Sequence, residues 1–266
     1  MRLTTDALII RENNNIGESD RFVTALTKDC GVVRASARGA QRIKSRNASA
    51  TQLLTYSRLT LYKGREKYII DEAEPLHVFF DLRADVERLA AAQYFCEVAG
   101  LLAPREEEAG DWLRLMLNAL HLLGGGKYAI SQIKAVTELR LLALGGFMPD
   151  LTGCRSCGTV EGVPIAFSPT EGTLVCANCS PPAGYQPLSP SVLAAMRHIL
   201  YSPLEKCFFF ALPPEDGQAL SDICEHFLLA QLGRGFHTLD FYHALAAPMQ
   251  ALQRAQQDGK TKDATS

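Results

Sequence analysis

Two short cysteine pairs place the strongest constraint on how this chain can fold. The first is Cys154-Arg-Ser-Cys157, and the second, after eighteen intervening residues, is Cys176-Ala-Asn-Cys179. Each C-x-x-C turn can present two thiolates to one ion, and two such turns complete a tetrahedron at about 2.3 Å per Zn–S bond. Four thiolates leave no coordination position for water, so the pattern predicts a structural Zn²⁺ site and not a catalytic one. A redox dithiol or disulfides are the alternatives for these four residues.

The rest of the chain favours a metal over disulfides. The first residues lack the apolar core and small-residue cleavage site of a secretory signal, and charges interrupt every apolar segment. We therefore expect a cytoplasmic protein with no membrane partner, where thiols stay reduced. The other four cysteines stand singly in apolar surroundings and are predicted to be small core residues: Cys30, Cys96, Cys207 and Cys224.

The residue pattern changes from strand-like to helical near position 81. Five short segments rich in β-branched and aromatic residues occupy the first eighty positions, which is typical of a small closed barrel such as the OB-fold. Helical periodicity follows on both sides of the cysteine segment. The prediction is an α+β multi-domain chain: an OB-fold β-barrel at 1–81, a helical bundle at 82–149 and 186–253 with a four-cysteine zinc module inserted at 150–185, and a disordered tail at 254–266.

Positive charge is concentrated in the predicted barrel. The whole chain has a formal net charge of −2, yet residues 31–70 contain nine basic residues and one acidic residue, Glu66. Such a local excess favours a surface for a polyanion over a merely solvated face. The candidate nucleic-acid-binding residues are Arg34, Arg38, Arg42, Lys44 and Arg46 in one stretch, and Lys63, Arg65 and Lys67 in the next basic turn.

Strand periodicity assigns faces to two of the barrel segments. Alternation puts Arg34 on the opposite face from Val33, and puts Tyr56, Arg58 and Tyr62 together on one face of the fourth strand. Aromatic rings beside arginines suit single-stranded nucleic acid, because rings stack on bases and cations hold phosphates. Tyrosines that serve as barrel core or edge residues explain the pattern equally well.

No catalytic constellation can be assembled from the sequence. The stretch Gly124–Gly125–Gly126–Lys127–Tyr128 lacks the first glycine and the final Ser or Thr of a phosphate-binding loop, and is interpreted as a helix end. The six histidines show no metalloprotease-like spacing. The chain is therefore interpreted as a binding protein and not as an enzyme.

Several stretches in a fixed order resemble the RecO family of bacterial recombination and repair mediators. "NIGESDRFVTALTKDCGVVRASARGAQRIKS" is similar to the family's opening signature, "LRLLALGGFMPDLTGCRSCG" to the junction before its zinc module, and "LGRGFHTLDFYHAL" to its closing motif. The resemblance covers nearly the whole chain. Zinc is not universal in this family, so the prediction of a zinc site rests on the spacing of the four cysteines alone.

The resemblance implies functions that residue patterns do not show. Such proteins bind single- and double-stranded DNA, anneal complementary strands, and work with RecR on the bacterial nucleoid. They also bind the acidic C-terminal tail of the single-strand-binding protein SSB and help to load RecA on coated strands. They have no catalytic site. An acidic tail needs a cation beside an apolar groove, so we expect its site in the first helical bundle, near Lys134 and Arg140.

Two other classes of function remain open on the sequence. One is an RNA-binding protein that combines an OB-fold with a zinc ribbon. The other is a zinc-stabilised interaction scaffold whose basic loop meets an acidic protein. A comparison of DNA binding with RNA binding distinguishes the first class from a DNA mediator. Binding to polyanions that carry only phosphates distinguishes the second.

Overall fold

The first five strands close into a barrel. The computed structural model describes residues 2–13, 20–42, 45, 47–64 and 68–246. The strands are β1 (Arg2–Asn13), β2 (Arg21–Thr27), β3 (Gly31–Ala37), β4 (Thr55–Lys63) and β5 (Tyr68–Val78), in the order β1-β2-β3-β5-β4 with β4 returning to β1. Only β3 and β5 pair in parallel among them. The predicted five-stranded barrel is confirmed, and it fits an OB-fold.

Strand alternation explains which side chains fill the barrel. Val33, Ala35 and Ala37 of β3 point inward and are almost fully buried, whereas Arg34 is exposed. Inward residues of the other strands complete the interior, and many of them are alanines because a five-stranded barrel is narrow. The predicted opposition of Val33 and Arg34 is therefore confirmed.

The outer face of the barrel is partly covered by the helices. Leu8, Ile10, Leu26 and Val32 point away from the barrel interior and belong to the large core that the helices build. A linker at 103–109 also pairs with the β2–β3 turn: Val32 N donates to Pro104 O at 2.8 Å and Ala109 N to Lys28 O at 2.7 Å. Apolar contact and backbone hydrogen bonds thus join the two parts.

Gly31 lies at the closest point of this joint. Its φ is +61°, and a Cβ there would lie 2.0 Å from Pro104 O. We expect Gly31→Ala to lower the free energy of unfolding by at least about 2 kcal/mol, since a left-handed residue costs about 1–2 kcal/mol before any clash. That loss corresponds to a melting temperature lower by about 4–8 °C in thermal unfolding.

Gly39→Ala is the matched control for that change. Gly39 has φ +63°, but its Cβ would meet only the flexible Arg42 side chain at 3.6 Å. Gly39→Ala therefore introduces the backbone strain without the clash, and should lower the free energy of unfolding less than Gly31→Ala. Equal losses in the two variants would contradict a tight joint at Pro104.

Six α-helical segments, together with a 3-10 turn at Phe80–Ala84, build most of the core outside the barrel in the described ranges. They are α1 (Val86–Leu102), α2 (Gly110–Gly125), α3 (Ile130–Leu144), α4 (Pro190–Tyr201), α5 (Pro214–Leu232) and a further helical stretch at 237–246. Asp85 caps α1 by accepting hydrogen bonds from the amides of Glu87 and Arg88. Gly126 ends α2 in the left-handed conformation, so the glycine run is a helix end, as predicted. None of the helices in the described ranges is long and apolar enough to cross a membrane.

The cysteine segment contains a small sheet that the sequence did not predict. Its strands are β6 (Asp150–Cys154), β7 (Ile165–Ser168), β8 (Thr173–Cys176) and β9 (Gln186–Leu188), in the order β6-β8-β7-β9. Phe167 packs edge-on against Phe227 of α5, with ring centroids 5.6 Å apart. The buried residues of the sheet share the helical core, so the segment is attached to α5 through its apolar face.

Lys134 lies inside the helical bundle, not on its surface. Its side chain is 1 % exposed, and its Nζ lies 2.9 Å from Glu138 Oε1 and 2.7 Å from Glu225 Oε2. Burial acts to lower the pKa of Lys134, but the two carboxylates outweigh it and raise that pKa. The expectation that Lys134 would contact an acidic tail is therefore wrong, because its charge is buried and already paired.

Arg140 is also engaged within the protein. Its guanidinium donates to the carbonyl oxygens of Leu200 at 2.7 Å and Ser202 at 2.9 Å, and so secures the end of α4. Neither Lys134 nor Arg140 is therefore a free cation in the described bundle, and an SSB-tail site in the first helical bundle stays a prediction. The predicted tail at 254–266 lies outside the described residues.

Candidate nucleic-acid interface and metal centre

Three of the predicted basic residues lie on β3 and in the turn that follows it. Arg34 points outward from β3, and Arg38 and Arg42 lie in the turn that follows it. All three side chains are exposed, and none forms an ion pair or a hydrogen bond with another residue in the described ranges. Their charges are therefore available to a ligand.

The basic turn is attached to the barrel where it begins. The carboxylate of Asp20 accepts a hydrogen bond from Gly39 N at 2.8 Å, and the carbonyl of Asp20 accepts one from Gln41 Nε2 at 2.9 Å. Arg42 N donates to Gly39 O at 3.1 Å, which closes the turn. Asp20 thus fixes the backbone from which Arg38 and Arg42 project.

The chain is attached again where it returns to the barrel. Arg21 Nη1 donates to Ala48 O at 2.7 Å, and Ser57 Oγ donates to Ala50 O at 2.7 Å. Asn47 Oδ1 accepts from Ala73 N of β5 at 3.1 Å. Fixed ends of this kind would limit the conformational entropy lost on binding a ligand.

The remaining predicted basic residues have different surroundings. Lys63 Nζ lies 2.8 Å from Glu106 Oε1, and this carboxylate raises the pKa of Lys63. Lys63 is therefore already partly neutralised. Four further candidates lie outside the described residues: Lys44, Arg46, Arg65 and Lys67.

The outer face of β4 is a poor surface for nucleic acid. Arg58 Nε pairs with Asp6 Oδ1 at 2.9 Å, and Tyr56, packed against the helical core, donates its hydroxyl hydrogen to Asp6. Glu72 and Glu74 of β5 lie beside Thr60 and Arg58 in the register. Only Tyr62, 53 % exposed, is left open among these tyrosines. The prediction that Tyr56, Arg58 and Tyr62 share one face of β4 is confirmed. Tyr56 packs against the protein core, so a structural role and not base stacking explains this residue.

The four paired cysteines meet at one end of the small sheet. Because β6 and β8 run parallel, their carboxyl ends, Cys154 and Cys176, lie at the same edge. Cys157 follows in the turn after β6, and Cys179 ends a 3-10 turn after β8. Gly158, with φ +74°, allows the first turn to close directly behind Cys157.

The sulfur geometry fits a tetrahedral ion. All four Sγ atoms lie within 4.8 Å of one another, and Cys157 Sγ is 3.6 Å from Cys176 Sγ. A tetrahedral Zn²⁺ with Zn–S bonds of about 2.3 Å requires sulfurs about 3.8 Å apart. Four cysteines are therefore close enough to hold a metal, as their spacing indicates.

The thiols of this cluster differ in their proton affinity. A hydrogen bond from Cys176 N, at 3.3 Å, is the main cause that lowers the pKa of Cys154 to about 6. Hydrogen bonds with the neighbouring thiols of Cys157 and Cys176 raise the pKa of Cys179 to about 12. Full deprotonation of the set requires a cation among the sulfurs, and a divalent metal supplies that charge. The other four cysteines lie apart from the cluster, and three of them are buried.

Sequence comparison identifies the family to which this fold belongs. The family model described as "Recombination protein O N terminal" matches residues 1–79, and "Recombination protein O C terminal" matches residues 83–240. The chain belongs to the RecO family. The predicted resemblance is confirmed, and membership supports a role in DNA repair and recombination.

Full-length relatives of the RecO family agree with this assignment. The chain is 30 % identical to the DNA repair protein RecO of Acetivibrio thermocellus over 244 residues, which cover 91 % of this chain and 97 % of that protein. It is 35 % identical to the DNA repair protein RecO of Desulforudis audaxviator over 241 residues, covering 89 % and 94 %. Barrel, helices and cysteine segment therefore all fall within the shared length.

Proposed function

We propose that this chain is a non-enzymatic DNA-binding mediator of recombinational repair, with a structural Zn²⁺ in its cysteine cluster. It binds single- and double-stranded DNA, anneals complementary strands, and helps to load RecA on SSB-coated DNA together with RecR. The observation that carries the proposal is the fixed basic turn, which presents Arg38 and Arg42 without partners among the described residues. Membership of a family whose models are named for recombination, and whose relatives are named DNA repair proteins, supports the same role.

We expect the basic turn to bind nucleic acid without sequence specificity. Guanidinium groups contact phosphates, and such contacts position a strand but carry little base information. Cations shared between two strands also lower the repulsion between their phosphates, which favours annealing. Zinc would be held by Cys154, Cys157, Cys176 and Cys179, and when bound it would hold the two turns together without entering any chemical step.

The salt dependence of binding tests the role of the turn. Each lost phosphate contact should flatten the slope of log K against log salt by about 0.7 for single strands. We expect Arg38→Ala with Arg42→Ala to flatten that slope by about 1.4, measured by fluorescence anisotropy with labelled oligothymidylate. The fold should be unchanged, because both side chains are exposed.

Arg2→Ala with Arg58→Ala is the matched control on the same barrel. These arginines pair with Asp71 at 3.0 Å and Asp6 at 2.9 Å, so the control removes equal charge from a face already neutralised. Its slope should stay at the value of the unchanged protein. Equal flattening in both double variants, or none in either, would refute the assignment of the turn.

Two further measurements separate the DNA mediator from the other classes of function. An RNA-binding protein should prefer RNA over DNA of the same sequence in the same assay. A protein-interaction scaffold should not bind oligothymidylate, and should not anneal complementary strands coated with SSB. We expect DNA binding at least equal to RNA binding, and annealing that depends on the protein.

A further inference from the structure

A cleft of about 850 Å³ lies where the barrel meets the helices. Its lining comes from β1, β2, β3, the segment before β4, the start of β5, α1, the linker at 103–109 and the segment at 233–238. Four arginines line it, namely Arg11 and Arg34 from the barrel, Arg105 from the linker, and Arg234 from the segment after α5. Both parts of the molecule thus contribute cations to one concave surface.

The acidic residues of the cleft are already partnered. Glu12 pairs with Arg21 at 3.1 Å, and Glu106 pairs with Lys63 at 2.8 Å. Glu97 accepts a hydrogen bond from Thr238 at 2.6 Å.

The barrel and linker arginines are in the opposite situation. Arg11, Arg34 and Arg105 are exposed, and no residue in the described ranges forms an ion pair or side-chain hydrogen bond with them. Arg234 reaches only within 3.8 Å of Glu97. Among the residues that the structure describes, the cleft therefore carries three guanidinium groups without a compensating carboxylate.

Apolar and aromatic side chains lie beside these cations. Leu101 of α1 is 45 % exposed at the cleft, and Ile10, Leu53 and Tyr68 also line it. Nucleic-acid strands present phosphates and flat base faces along the same path, and guanidinium groups beside aromatic and apolar surfaces match both.

Arg34 connects this cleft with the basic turn. It lines the cleft, and it also lies four residues before Arg38 on the strand that leads into the turn. We propose that the cleft is a second phosphate-binding segment for a nucleic-acid strand held by the basic turn, with Arg11 and Arg105 contacting the backbone on opposite walls. This inference rests on the proposed function, because it extends the same strand from the barrel onto the helical part.

The proposal predicts that a bound strand makes phosphate contacts in the cleft in addition to those at the basic turn. Arg11→Ala with Arg105→Ala should flatten the slope of log K against log salt by about 1.4 for oligothymidylate, since two phosphate contacts are removed. Combined with Arg38→Ala and Arg42→Ala, the total flattening should reach about 2.8. The melting temperature should stay unchanged, because neither side chain has an internal partner to lose in the described ranges.

Lys127→Ala with Lys206→Ala is the matched control. Both lysines are exposed on the helical part and neither lines the cleft, so their substitution removes the same charge from elsewhere and the slope should not change. If the turn variant flattens the slope and the cleft variant does not, the cleft proposal fails while the proposed function stands. If neither flattens it, the proposed function fails as well.

An acidic peptide is the competing occupant of an arginine-lined cleft. Soluble polyglutamate, tested by the same anisotropy measurement, distinguishes it. We expect polyglutamate to compete only weakly with labelled oligothymidylate, and to the same extent for the unchanged protein and for the cleft variant. Loss of polyglutamate binding in the cleft variant, with DNA binding and its salt slope intact, would overturn the proposal in favour of a peptide site.

Discussion

Lys134→Met is expected to lower the free energy of unfolding by about 3–5 kcal/mol, because it leaves one buried and one partly buried carboxylate without their cation. Glu138 is 1 % exposed and Glu225 14 % exposed at the side chain, and both face Lys134 Nζ within 2.9 Å. Tyr94 still donates to Glu138, and His243 still contacts Glu225, but neither contact replaces the buried ammonium group between the two carboxylates. Chemical denaturation at pH 7.5 measures the loss, and Lys127→Met at the surface should change stability by less than about 0.5 kcal/mol.

The loss in Lys134→Met should depend on pH in a defined direction. Without the lysine, burial and mutual repulsion raise the pKa of the carboxylates, so the folded variant binds protons that the unfolded chain releases. Its stability relative to the unchanged protein therefore improves as pH falls from about 8 toward 5, and worsens as pH rises.

A double variant makes the explanation specific to charge. Lys134→Met with Glu138→Gln removes one of the two stranded carboxylates and keeps a partner for Tyr94. It should be more stable than Lys134→Met alone, which is a non-additive result for residues in contact. A double variant at least as unstable as the sum of both single variants would contradict the ionic explanation.

Removal of the metal is the second change expected to have a large effect. We expect purified protein to contain about one zinc per chain, and Cys154→Ser or Cys176→Ser to abolish it. A free metal concentration about a thousandfold above the Kd stabilises the folded protein by about 4 kcal/mol. For a chain of this size, that corresponds to a melting temperature about 8–16 °C higher than in the metal-free protein. Metal analysis and thermal unfolding, before and after a strong chelator, measure both quantities.

Cys30→Ser provides the control for that experiment. Cys30 is half-buried at the barrel, apart from the cluster, so its loss should leave the metal content unchanged. Zinc affinity should fall as pH falls, because the ligands must be thiolates. A metal content far below one per chain, or a melting temperature unaffected by the chelator, would contradict a structural zinc site.

Local patterns in the sequence predicted the features that depend on neighbouring residues. Alternation in β3 separated Arg34 from Val33, and the C-x-x-C spacing brought Cys154 and Cys157 to one turn. Both follow from backbone geometry that acts over a few residues.

Features that depend on distant segments were not predictable. Glu138 follows Lys134 by one helical turn, but burial of the pair requires Glu225, which lies on a different helix far along the chain. Asp6 on β1 occupies Arg58 on β4, which no local pattern indicates. The cleft likewise collects Arg11, Arg105 and Arg234 from three separate segments, and only the docking of barrel on helices brings them together.

The pairing of the 103–109 linker with the β2–β3 turn has a consequence for assembly. Two modules on a flexible tether meet at an effective concentration set by the length of the tether. Here the backbone hydrogen bonds at Pro104 and Ala109 replace such a tether with a short fixed joint. If a strand binds the barrel as proposed, a protein docked on the helices would meet it at one distance and one angle, so geometry and not diffusion would decide which partners can act on the strand.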